Sequence, residues 1–304
     1  MRIASVGLGD IAQKAYLPLV CRHPAITPVL CTRKPELLQQ LGSQYRVEER
    51  YTDYRELLCS KPDAVMIHSS TDSHAALAMQ ALEAGIAVFV DKPVSDTLAD
   101  CEAVIELAAR KNLPLFCGFN RRYAPLYQGA LAARPLSIHY QKNRHALPAQ
   151  ARQFIYDDFI HVLDFVCHAG GFPAANWQVM TGHEQGLLAH IQVSWSHAGQ
   201  SLSAAMNRLC GRTFERLDYS ATNESWHVEN LRQGSHCANN ETRELTFGDW
   251  QDTLFKRGFV SMLEDFLTQL RTGQADTAYL DQLRRLHQLC EALVIKVSEE
   301  HTRG

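Results

Sequence analysis

Short apolar runs and longer amphipathic stretches alternate through the first 118 residues. "RIASV", "ITPVLC", "DAVMIHS", "IAVFV" and "PLFCGF" predict buried strands, and "VEERY" a weaker one. Between them, helices are expected from Ile11 to Cys21, through "ELLQQL" and "DYRELL", from Ser73 to Ala84, and over "SDTLADCEAVIELAARK". Pro35 opens the second of these at the helix position that tolerates proline best, and Gly85 ends the fourth. Strands that are apolar almost throughout, separated by helices, predict a parallel sheet covered on both faces.

The rhythm changes after Gly118. "LSIHYQ", "NWQVMTG", "LLAHIQVSW", "SLSAAMNRL", "ERLDYSA", "SWHVENL" and "ETRELTF" follow one another with a period near two, the mark of an antiparallel sheet. Helices are expected near Asp157 to His168, from Gly258 to Leu270 and from Tyr279 to Ser298. The fold class is therefore α/β: an N-terminal Rossmann-type, doubly wound parallel sheet over residues 1–119, and an α+β domain over 120–304 with a large, mainly antiparallel open sheet.

Composition changes this picture little. An apolar content of 46% and a charged content of 21% describe an ordinary globular chain. A net charge of -3 argues against a nucleic-acid partner, and no apolar run reaches the length of a membrane span. The start, "MRIASVGLGD", reads as a strand and a turn and not as a signal peptide, so a cytoplasmic location is expected. The nine cysteines lack framework spacing, and Cys31, Cys101, Cys117 and Cys290 sit in apolar contexts as small core residues. No close His or Cys pair suggests a metal.

The candidate chemistry begins at "SVGLGDIAQKA". Gly7, Gly9 and Ala12 form G-x-G-x-x-A between a strand and a helix, with Asp10 and Ile11 at the helix start. Gly7 permits the turn, Gly9 leaves room for a diphosphate, Ala12 allows close helix packing, and the helix N-terminus faces the anion. After the second strand, where NAD-binding chains carry an acid, stand Thr32, Arg33 and Lys34. A hydroxyl and two cations suit a ribose 2′-phosphate, which favours NADP with NAD as the alternative; a solvated basic loop would look the same. Ser69, Ser70 and Thr71 end the fourth strand, where either ligand contact or helix capping fits, and His74 follows in the first helical turn.

Two further positions handle protons. Lys92 emerges after the fifth strand in "FVDKPV", held by Pro93. An ammonium there can face a reacting oxygen or stand in a surface turn. In "IYDDFIHVLDFVCHAGG", Asp157, His161, Asp164 and His168 recur at helical spacing, so a carboxylate at 157 can orient the imidazole at 161. Asp157 and Asp158 can instead simply cap or charge a helix start, the reading kept for Asp158, and Asp164 and His168 read as rim polars. Lys142, Arg144 and His145, after the first strand of the second domain, can line a substrate mouth but read first as a solvated loop.

The ordered series "GLGDIA", "SSTDSH", "DKP", "GFNRRYAP" and "DDFIHVLD" resembles the glucose–fructose oxidoreductase and inositol dehydrogenase family (Gfo/Idh/MocA), and within it the bacterial MviM-type proteins. The resemblance implies that Lys92 positions substrate and nicotinamide, that Asn120 and Arg122 lie near the nicotinamide end, and that Asp157 and His161 carry acid–base function as the family's D-x-x-x-H motif. His74 matches a histidine that follows a Thr-Pro turn in the family, although Asp72 replaces that proline, and Val162 stands where a polar residue is usual. The expected activity is an NADP-dependent oxidoreductase acting on a sugar, polyol or related hydroxyl compound. A homo-oligomer through the C-terminal sheet is expected, as the family often forms. A non-enzymatic NADP sensor on the same fold is the alternative, since the family includes a galactose repressor without dehydrogenase activity.

Overall fold

The computed structural model describes residues 1–174 and 176–303. The described chain divides into two compact units, Met1–Gly118 with Phe259–Arg284, and Phe119–Gly258 with the remainder of the C-terminus.

The first unit holds six parallel strands: β1 (Arg2–Val6), β2 (Thr27–Cys31), β3 (Arg50–Tyr51), β4 (Ala64–Ile67), β5 (Ala87–Val90) and β6 (Leu115–Cys117), in the order β3-β2-β1-β4-β5-β6. That is the dinucleotide-fold order, with its reversal beside β1. The connecting helices are α1 (Leu17–Val20), α2 (Pro35–Tyr45), α3 (Tyr54–Cys59), α4 (Thr71–Glu83) and α5 (Leu98–Lys111). Every residue of β4 and β5 is buried, as a sheet covered on both faces requires. α2 begins with Pro35 at its first turn, and Gly85 (φ 78°) follows α4.

The unit is completed from the far end of the sequence. α10 (Phe259–Thr272) sets Phe266 edge-on against Phe89 at 5.2 Å, and Tyr279 stacks on Phe116 at 5.6 Å. The Tyr279 hydroxyl accepts from Cys117 N and donates to Cys117 O, which occupies backbone groups of the edge strand β6.

The second unit is built on eight strands in the order β14-β13-β12-β11-β7-β10-β9-β8. They are β7 (Ser137–Asn143), β8 (Trp177–Glu184), β9 (Leu187–His197), β10 (Gln200–Asn207), β11 (Phe214–Ala221), β12 (Glu224–Glu229), β13 (Gln233–Ala238) and β14 (Glu241–Leu245). All neighbours are antiparallel except β7 and β10. α6 (Pro125–Leu131), α7 (Ala151–Phe154), α8 (Ile160–Gly170) and α9 (Thr253–Lys256) belong to it, and the long α11 (Thr277–Arg303) ends there. A π-helical turn, Ile155–Phe159, joins α7 to α8. α8 packs on the sheet so closely that a Cβ at Gly170 would stand 2.4 Å from Leu202.

Candidate active site

The strand ends of the first unit come into register at one edge. Cys31 pairs with Val6, Val6 with Ile67, Ile67 with Val90, and Val90 with Cys117. Thr32, Gly7, His68, Asp91 and Gly118 therefore follow one another along the carboxyl edge, where ligands bind in such sheets. Gly7 has φ 80°, donates its N–H to Cys31 O, and leaves no room for a side chain, since a Cβ would stand 2.6 Å from Ser69 N. At Gly9 the opposite holds: an added Cβ meets nothing within 4 Å. The chain is helical from Asp10, and Ala12 is fully buried. Asp10 pairs with Lys14 at 2.7 Å, and Ile11 is 38% exposed.

Thr32 is half-buried, and Arg33 and Lys34 are exposed. Asp53 acts on the Cys31 thiol, whose pKa burial and then that carboxylate raise to about 12. Its Oδ1 caps α3, accepting from Arg55 N and Glu56 N. The open space at Gly9 leaves room for the diphosphate of a dinucleotide, beside a β2 end that carries the exposed cations Arg33 and Lys34.

Ser69, Ser70 and Thr71 lead into α4 with Ser70 at the N-cap position, and no side chain caps the helix there. Instead the Ser73 hydroxyl donates to Ser69 Oγ and Ser70 O. His74 is buried; its ring bridges Ser69 O at 3.0 Å and Pro93 O at 2.8 Å. It ties the end of β4 to the turn that carries Lys92. Asp91 Oδ1 accepts from Lys92 N at 2.8 Å and from the Tyr16 hydroxyl at 3.3 Å, and burial raises its pKa. Lys92 is half-buried, and the Lys92–Pro93 peptide is cis.

In the second unit, the "NRR" of Asn120–Arg122 proves to be three anchors. Asn120 is buried; its amide donates to Arg257 O at 2.7 Å and its Oδ1 accepts from Arg121. Arg121 donates to Glu215, which also receives the Tyr140 hydroxyl. Arg122 grips both oxygens of Asp164. Asp164 is thus no rim polar but 1% exposed, and burial outweighs Arg122 in raising its pKa. His168, one turn on, is exposed.

The two adjacent acids at the helix start differ sharply. Asp157 is exposed, and four residues on, His161 is buried with its ring edge-on to Phe119 at 6.4 Å. Asp158 is not a helix-start charge on the surface. It is buried against Lys142, Arg144 and Arg208. Arg144 holds it bidentately at 2.6 and 2.9 Å. Burial alone would raise the Asp158 pKa, but Lys142 and Arg144 hold it well below the usual carboxylate range. Lys142 likewise belongs to no solvated loop, being 4% exposed. Among the described residues, no group of His, Cys, Asp and Glu is placed to hold a metal ion, and no helix is long and apolar enough to cross a membrane.

A family model described as the Gfo/Idh/MocA oxidoreductase family, NAD-binding Rossmann fold, matches residues 1–119. YceM of Salmonella typhimurium is 30% identical over 300 residues, 96% of this chain and 97% of its own. The chain is a member of the Gfo/Idh/MocA oxidoreductase family. A crystal structure of a Gfo/Idh/MocA family oxidoreductase from Vibrio cholerae superposes on this member with a TM-score of 0.96 at 38% identity, over 99% of each chain. A dehydrogenase (MviM) from Clostridium difficile follows at 0.86 and 25% identity, over 97% of this chain and 99% of its own. Inositol 2-dehydrogenase of Salmonella typhimurium is 33% identical over 177 residues, 54% of this chain and 53% of its own.

Pattern reading missed the burial of several charged groups in this oxidoreductase. Asp158, Lys142, Arg208, Glu215 and Arg257 are charged residues in alternating or loop contexts, and only their partners reveal them as buried or half-buried. The run of cations in "QKNRH" opposite two successive aspartates in "YDDF" was the one available hint.

Proposed function

We propose that the protein is an NADP-dependent dehydrogenase that oxidises a secondary hydroxyl of a sugar, a polyol or a related compound, or reduces the matching carbonyl. The observation that carries this reading is the carboxyl edge of the parallel sheet, where an open glycine at 9 stands beside a β2 end bearing Arg33 and Lys34. Bound NADP would supply the hydride acceptor at nicotinamide C4. Gly7, Gly9, Asp10 and Ile11 would hold the diphosphate at the start of the helix; Thr32, Arg33 and Lys34 would take the 2′-phosphate; Ser69, Ser70 and Thr71 would line the same edge. The Lys92 ammonium polarises the reacting oxygen. His161 takes the hydroxyl proton as the C–H hydride leaves, and the exposed Asp157 orients and stabilises the imidazolium. Asn120 and Arg122 act here through Arg257 and Asp164, so their contribution is to position the second unit's polar groups. The named activity of the inositol dehydrogenase relative supports a polyol-type substrate. Assembly into a homo-oligomer through the outer face of the eight-stranded sheet, where Asp218 pairs with His227, completes the proposal.

Initial rates over a panel of sugars and polyols test it. Wild type is expected to turn over at least one compound with NADP. Lys92→Ala and His161→Ala are each expected to lose roughly 10²-fold or more in kcat, the scale of lost acid–base assistance. Wild-type rates in both variants would sink the assignment, and saturable NADP binding without turnover anywhere would favour a sensor.

A further inference from the structure

Beside Asp158 the second unit contains a cavity of about 310 Å³, lined among others by Lys142, Arg144, Arg232, Arg257 and Glu215. Lys142 and Glu215 lie on the sheet face that meets the helices, on paired strands where Glu215 stands opposite Lys142. The charges do not balance. Asp158 answers Lys142, Arg144 and Arg208 together, and Glu215 answers Arg121. Among the described residues neither Arg232 nor Arg257 has a carboxylate within ion-pair distance. Burial, and then repulsion from Arg121, lowers the pKa of Arg257 despite Glu215. If Lys142 gives up its proton, as burial and Arg121 favour, Arg232 and Arg257 still have no carboxylate in direct contact among the described residues. Like charges in a partly dry cavity are costly unless an anion joins them.

We propose that this cavity is a subsite for a phosphate monoester carried by the substrate, so that the compound oxidised is a phosphorylated sugar or polyol. The inference rests on the dehydrogenase reading for the word substrate, but not for the anion site. Two unanswered guanidinium groups match a dianion, and arginine forks fit phosphate oxygens bidentately. Thr213 and Asn230 line the same cavity and add neutral donors. The Arg257 backbone is fixed by the amide of Asn120, which presets one of the two cations. The cavity is large enough for the ester group and part of its carbon chain. Asp157, adjacent to Asp158, places the proposed acid–base pair in the same helical segment.

Calorimetric titration of the cofactor-free protein with inorganic phosphate tests the site, and rates with matched pairs such as sorbitol and sorbitol 6-phosphate, or glucose and glucose 6-phosphate, test its use. Saturable phosphate binding is expected, weakened about tenfold or more by Arg257→Gln and roughly threefold by the exposed Arg232→Gln. It should be insensitive to Arg33→Ala, which reports phosphate at the nucleotide end instead. The esters are expected to exceed their neutral partners in kcat/KM, and Arg257→Gln to erase that preference. Phosphate binding unchanged in both Arg257→Gln and Arg232→Gln overturns the site. Esters turned over no better than neutral compounds overturn its role in substrate binding and assign it to free phosphate. If no compound of either kind reacts while Arg257-dependent binding persists, the dehydrogenase reading fails and the anion site stands.

Discussion

His68 stands at the end of β4, 2% exposed, stacked on Tyr16 at 3.9 Å, and among the described residues neither ring nitrogen has a hydrogen-bond partner. Burial, reinforced by His74, lowers its pKa to about 3. The unfolded chain binds a proton at this residue near pH 6.5, and the folded one resists it until far lower. A depressed folded-state pKa means stability that is present above the unfolded value and is lost as pH falls from there toward 3. Each pH unit in that window costs about 1.4 kcal/mol. His68→Phe keeps the stacked ring and removes the titration. Between pH 7 and pH 4.5 the variant should therefore gain about 2 to 3 kcal/mol relative to wild type in urea unfolding. An equal difference at both pH values would mean that the ring takes up its proton in the folded state. At this scale the sequence offered only "HSST", which drew notice to the hydroxyls and passed over the histidine, because stacking on Tyr16 is a contact across 52 residues of chain.

The π-helical turn at Ile155–Phe159 decides what two neighbouring aspartates do. It leaves Asp157 exposed and sends Asp158 into three cations. Asp158→Asn strips the compensating charge from a buried cluster and should cost about 3 to 5 kcal/mol in denaturant stability at pH 7. Asp157→Asn should change stability by less than about 0.5 kcal/mol while lowering kcat. Equal stabilities for the two variants would contradict the burial of Asp158. The same turn shows where reading by period succeeds and stops. The five apolar strand runs and the helices between them were legible because burial on both faces leaves no polar positions to confuse the period. The alternating strands of the second sheet were legible for the complementary reason, one face in and one out, except β13, whose residues do not alternate and which was not expected. The helix at α8 was legible but its burial was not, because Ile160–Cys167 is buried on every side and a polar stripe on such a helix marks internal ion pairs instead of a wet rim. Asp164 is tolerated there chiefly through Arg122, a partner 42 residues earlier that no helical spacing connects to it. Likewise a helix was expected from Gly258 to Leu270, but not that it closes over Phe89 and Phe116 of the first sheet.

At the scale of the whole molecule, the separate cores allow ligand affinity to be read through folding. A ligand that binds only the native state stabilises it by an amount fixed by its concentration relative to Kd, about 2.7 kcal/mol at a hundredfold excess. Arg33 is exposed, so Arg33→Ala should leave ligand-free stability within about 0.5 kcal/mol of wild type. If its guanidinium holds a 2′-phosphate, the variant binds NADPH roughly tenfold more weakly, and at one saturating concentration the NADPH-induced stabilisation shrinks by about 1.4 kcal/mol. NADH has no 2′-phosphate to lose, so its smaller stabilisation should be the same in both proteins. The comparison separates affinity from folding because the ligand-free baselines coincide, and it needs no substrate. Equal stabilisation of wild type by the two nucleotides, unchanged in Arg33→Ala, would assign the cationic end of β2 to solvent.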